Sequence, residues 1–139
     1  MATIKLLNAG KIENLGIYNI VGTVRRGFEV LGESNQGSKM HGLLLDLAAD
    51  RGKAKGTKVK SMTPKGGFSA AGTWMHGEHA VMHYSTGEKH KSAKSNSVTL
   101  FFYKEESGAW VVIAAGHHVD GSQDYKIVWG ERKGDYGTV

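Results

Sequence analysis

Between Ser38 and Asp50 the apolar side chains return at helical intervals, with Met40, Leu43, Leu44, Leu47 and Ala48 lining one face. Ser38 offers a capping hydroxyl at the start and Gly52 a left-handed stop beyond the end, so a helix is expected here. Ile17, Ile20, Val21, Val24, Phe28 and Leu31 keep the same spacing and predict an earlier helix. Gly16, Gly22 and Gly27 oppose it, since an interior glycine costs about 1 kcal/mol against alanine, and its β-branched residues would also suit a strand.

Beyond Gly56 the periodicity changes to short β-branched and aromatic stretches separated by Gly, Ser, Asp and Asn. Val98–Lys104 and Ala109–Ala115 flank Glu105–Gly108, which has the length and composition of a hairpin turn. Asp120–Gly121 marks another turn before Tyr125–Trp129, giving three antiparallel neighbours. Lys58–Met62, Phe68–Met75 and His79–Ser85 are earlier strand candidates. The expected fold is therefore α+β in a single domain over 1–139, with N-terminal helical segments packed on a C-terminal antiparallel sheet through Leu43, Leu44 and Leu47.

Composition narrows the chemistry. The 139 residues suit one core, and 40% apolar against 22% charged residues fit a chain that folds on its own. The apolar stretch Trp110–Gly116 is far short of the roughly 20 residues that cross a bilayer, so no membrane partner is expected. The N-terminal stretch lacks the apolar block of a signal peptide, which favours a cytoplasmic location. With no cysteine, thiolate nucleophiles, disulfides and cysteine zinc sites are excluded.

Charge then points to an anionic partner. The net charge is +5, and Arg51, Lys53, Lys55, Lys58, Lys60 and Lys65 follow one another with no acid between Asp50 and Glu78. Lys89, His90, Lys91 and Lys94 form a second basic run. Such density suits RNA or another polyanion, because each cation placed on a phosphate releases condensed counterions. A solvated loop would have the same composition.

Seven histidines are the most unusual feature. His76, His79 and His83 would share a helix face and could hold zinc, but Gly77, Trp74, Val81 and Tyr84 favour a strand, and the His-Glu-x-x-His order is missing. No metal and no cofactor is therefore expected. RNA cleavage needs a base for the 2′-hydroxyl, an acid for the leaving oxygen and a cation for the phosphate. His83 or His79 can supply one proton carrier, His117 or His118 the other, and Lys94 or Lys91 the phosphate contact. Small metal-independent ribonucleases, including bacterial toxins, combine such parts on helix-then-sheet domains, although no family motif matches residue by residue. A toxin or effector-like domain of this kind would bring a neutralising protein partner.

Each histidine also has a structural explanation. His41 suits a helix boundary, His90 a solvated loop, and His79 with His83 the exposed set of an alternating strand. His117 and His118 should face opposite ways. The alternative function is nonenzymatic binding of nucleic acid or another polyanion, through Lys53, Lys55, Lys58, Lys60, Lys89 and Lys91 with bases stacked on Tyr84 and Tyr103. Tyr125 is a further surface candidate, while Phe102, Trp110 and Trp129 belong to the core. A homo-oligomeric assembly protein is a third reading, since small Gly-rich β domains also build such assemblies. Phosphate-binding glycine motifs and the Gly-x-Ser-x-Gly nucleophile turn are absent.

Overall fold

The computed structural model describes residues 2–30, 37–49, 57–58, 62–64, 74–85, 98–118, 125–131 and 133–138. The chain opens with a hairpin, β1 (Ile4–Asn8) and β2 (Lys11–Glu13), and continues into helices α1 (Ile17–Val30) and α2 (Gly37–Ala48). Short strands β3 (Thr57–Lys58) and β4 (Met62–Pro64) follow, then a small hairpin of β5 (Met75–His76) and β6 (His79–Ala80). The main strands are β7 (Met82–Ser85), β8 (Thr99–Lys104), β9 (Trp110–His118), β10 (Tyr125–Gly130) and β11 (Gly134–Thr138).

The sheet runs β3-β7-β8-β9-β10-β11-β4, with β1 beside the first half of β9 and β2 on β1. The α+β class and the helix-on-sheet packing are as the sequence predicts, but two expectations need correction. Strands precede the helices, and the sheet is mixed, because β1 pairs parallel to β9 through Ile4↔Trp110 and Leu6↔Val112. Of Lys58–Met62, Lys58 lies in β3, which joins β7, and Met62 in β4, which joins β11, near opposite ends of the strand order, while residues 59–61 lie outside the described residues. His79–Ser85 is divided at Val81, whose N–H bonds Trp74 O at 2.9 Å. Of Phe68–Met75, the segment up to residue 73 lies outside the described residues, as do Asp120–Gly121, Gly52 and Leu31. Helix α2 begins at Gly37, so Ser38 lies inside the first turn instead of capping it.

Both faces of the sheet are covered, which is why β9 is buried along nearly its whole length. On one face Ile20, Val21 and Val24 of α1 and Met40, Leu43, Leu44 and Leu47 of α2 pack on Leu6, Leu100, Phe102, Trp110, Val112 and Val128. On the other, Phe101, Tyr103, Val111, Ile113, Tyr125 and Ile127 form a second cluster under Trp74 and Val81 from the ends of the small hairpin. A bulge at Ile113 between β8 and β9 puts Ile113 and Ala114 together on this second face.

Helix α1 forms despite its glycines, and Gly27 shows why one is tolerated: a Cβ there would lie 2.8 Å from Trp129 Cβ and 2.9 Å from Cδ1, so its absence lets the helix settle on β10. At Gly22 a Cβ would meet nothing within 4 Å. Gly22→Ala is therefore expected to stabilise the fold by about 0.5–1 kcal/mol, and Gly27→Ala to destabilise it by about 1–3 kcal/mol. Urea unfolding of the two variants checks this; equal shifts of the same sign would contradict the packing.

Candidate functional site

Alternation along the strands sorts the histidines. In β9, Ala115 belongs to the helix-side core, so His117 faces that side, where it is 6% exposed, and its Nδ1–H donates to the His118 carbonyl at 2.9 Å. His118 faces the second side. His83 in β7 also faces that side, since its neighbours Met82 and Tyr84 pack on the helix-side core. The hairpin residues His76 and His79, directly paired, lie there too, stacked on Tyr103. Four imidazoles thus gather over one face, and the expectation that His117 and His118 point apart holds.

They form two groups. The first centres on Tyr103, against which His76 and His79 stack with ring centroids at 4.9 and 4.6 Å. His76 Nδ1–H donates to Glu131, with contacts of 3.0 and 3.2 Å to its two oxygens. His79 Nε2 lies 3.3 Å from Glu106 Oε1 as an ion-pair contact without hydrogen-bond geometry. Burial pushes the Tyr103 phenol pKa up, and Glu105, Glu131 and Glu106 add to that. The exposed Glu106 carboxyl is held below its usual value by its own backbone hydrogen bond, then by His79. Gly77, with φ of 60°, makes the tight turn that lets the hairpin deliver both rings.

The second group centres on Tyr125. The His118 ring lies 4.4 Å from the Tyr125 ring between centroids, and the His83 ring meets the same phenol edge-on at 5.9 Å. Phe101 supports both from below, 5.4 Å from Tyr125 and 6.5 Å from His83. Register explains the meeting: His118 pairs with Tyr125 across β9 and β10, while His83 pairs with Phe101 across β7 and β8. The Tyr125 hydroxyl bonds Ser85, whose Oγ lies 2.7 Å from Thr99 Oγ1.

Burial pushes the Tyr125 pKa up to about 12, the Ser85 hydrogen bond acting the other way. An unperturbed tyrosine titrates near 10. The folded value lies above the unfolded one, so the neutral phenol's contribution is complete below about pH 10 and is lost as pH rises through about 12. The displacement corresponds to about 3 kcal/mol. Tyr125→Phe is expected to flatten the loss of stability between those pH values, measured by urea unfolding along a pH series. An unchanged alkaline limb would place the phenol in water.

The other candidates fall elsewhere. Tyr84 faces α2, and its hydroxyl donates to Asp46 at 3.2 Å. Tyr103 and Tyr125 are 3% and 6% exposed, so these two rings are buried supports, contrary to the surface placement the sequence suggests. Phe102 and Trp110 are core residues as expected, with Trp129 partly buried beside them. The His41 ring lies tilted against Tyr18, with centroids 5.0 Å apart, on the outer side of the helices. Lys58 lies in β3 opposite Met82, with Thr57 opposite His83, so the first basic run contributes a strand next to the one that carries His83. Lys53, Lys55, Lys60, Lys89, Lys91, Lys94 and His90 lie outside the described residues. Ser85, the last described residue before the run holding Lys89, Lys91 and Lys94, bonds the Tyr125 hydroxyl.

Sequence reasoning missed the two tyrosines as the centres around which the imidazoles assemble. Their even spacing from buried neighbours, Tyr103 from Phe101 and Tyr125 from Ile127, was the available signal. Among the described residues, no three His, Asp or Glu side chains converge as a metal site would. No protein-family model, curated protein or solved structure matches the chain.

Proposed function

We propose that this protein cleaves RNA by metal-independent acid-base catalysis, with His83 and His118 as the proton carriers. The observation that supports the reading is their meeting on one phenol, Tyr125, from strands that are not neighbours. One neutral imidazole takes the 2′-hydroxyl proton as that oxygen attacks phosphorus. The bond from phosphorus to the 5′ oxygen breaks, the other imidazole, protonated, gives its proton to that oxygen, and a 2′,3′-cyclic phosphate remains. Tyr125 is a positioning residue: neutral, buried and bonded to Ser85, it holds the spacing of the two rings. In this scheme the phosphate contact falls to Lys94 or Lys91, on the segment that starts at Ser85.

Neither His79 nor His117 suits the role as well. His79 is engaged with Tyr103 and Glu106, and His117 is buried on the other face. The test is cleavage of an end-labelled single-stranded RNA in EDTA. The wild-type chain should cleave it, with a bell-shaped pH dependence of rate. An inert wild type would reject the reading.

A further inference from the structure

We propose a nucleotide-binding site in the cleft where α1, the β1–β2 turn and the end of β10 meet, a site separate from the His83–Tyr125–His118 group and independent of whether that group cleaves RNA. Two adjoining cavities of about 440 and 310 Å³ share Asn8, Trp129 and Gly130 along their border, a size suited to a small ligand. The larger is lined by Thr23, Arg26 and Lys133, and the smaller by Glu131. The cleft therefore sets two cations at one end, the Glu131 carboxylate, which also accepts from His76, at the other, and an indole between. That sequence of groups matches a phosphate, a planar base and the amino edge of that base.

Two features of the backbone are built around the indole. A bulge in β10 makes Val128 and Trp129 consecutive residues on the helix side, re-aiming the tryptophan. Gly27 then seats it, since any side chain there would collide with Trp129. The chain turns sharply after it at Gly130, with φ of 92°, where a Cβ would lie 2.2 Å from Ile113 O. An indole held this firmly presents a stacking surface with little ordering to lose on binding. Arg26 and Lys133 are exposed, and neither pairs with a carboxylate among the described residues. The guanidinium fork suits a phosphate monoester, with the ammonium as a second point charge.

The ligand is a nucleotide unit, either free or at the end of an RNA strand. Intrinsic tryptophan fluorescence reads it well, because Trp74 and Trp110 are 2% and 5% exposed whereas Trp129 borders the cleft. The intact protein is titrated with AMP, GMP, adenosine, inorganic phosphate and a short oligoadenylate. Saturable quenching by a mononucleotide is expected, with adenosine and phosphate each at least about tenfold weaker because each has lost one of the two anchors. Arg26→Ala and Lys133→Ala should each weaken binding about tenfold by calorimetry while unfolding as the wild type does. Tighter binding of the oligonucleotide than of AMP would name the strand as the source, and equal binding the free nucleotide. Absence of saturable binding by all five probes, or wild-type affinity in both charge variants, would overturn the site.

Discussion

Alanine at position 116 is expected to cost most or all of the stability of this fold. Gly116 sits in β9 between Thr99 of β8 and Ile127 of β10. A Cβ there would lie 2.0 Å from Lys126 O and 2.9 Å from Ile127 Cα. Both are backbone atoms, so no rotamer change relieves the overlap, and the β9–β10 ladder has to part. Overpacking alone costs about 1–3 kcal/mol, and losing ladder hydrogen bonds within a buried sheet adds more, against a total of about 5–15 kcal/mol for a domain. Thermal and urea unfolding should show Gly116→Ala down by at least about 4 kcal/mol or without a cooperative transition. Gly42→Ala is the matched control, because a Cβ at that helical position meets nothing within 4 Å. Wild-type stability in Gly116→Ala would mean that the register placing His118 opposite Tyr125 is wrong.

Removal of either proton carrier is the second large effect. His118→Ala and His83→Ala should each lower RNA cleavage by about 10² or more, the range of a lost general acid or base. Because the two act on one reaction, the double variant should be little worse than the more damaged single one. His79→Ala should lose much less, since His79 is held against Tyr103 beside Glu106. His41→Ala should retain full activity, because that ring lies against Tyr18 beyond the helices. Far-ultraviolet circular dichroism and unfolding of each variant separate chemistry from folding. Equal activity in His83→Ala and wild type would remove His83 from the mechanism, whatever His118→Ala shows.

Much of this architecture was legible where one periodicity ran for several turns or residues. Met40, Leu43, Leu44 and Leu47 specify α2, and Val98–Lys104 with Ala109–Ala115 specify the hairpin whose turn is closed by Gly108 N–H to Glu105 O. The N-terminal hairpin was not legible, because its turn uses Ala9 at φ of 52°, a conformation rarely given to alanine, and β2 is only three residues long. Its parallel partner is more than a hundred residues away, and nothing local announces a pairing of that range.

The candidate site was half legible for a related reason. Histidine abundance and the opposite facing of His117 and His118 follow from composition and alternation. Which imidazoles meet depends on strand order, which places β8 and β9 between the strands that carry His83 and Tyr125. The tyrosines misled because a phenol is amphipathic: buried, it supplies apolar area and still satisfies its hydroxyl, as Tyr125 does with Ser85.

The central claim is that His83 and His118 transfer protons for a 2′-hydroxyl attack, and product chemistry tests it most directly. A labelled oligonucleotide with a single ribonucleotide in a DNA strand is incubated with the protein in EDTA, beside its all-deoxy counterpart. The account predicts one cut, after the ribonucleotide, leaving a 2′,3′-cyclic phosphate and a 5′-hydroxyl, and no cut in the all-deoxy strand. Cleavage of both strands alike, 5′-phosphate ends, or two intact strands would contradict it.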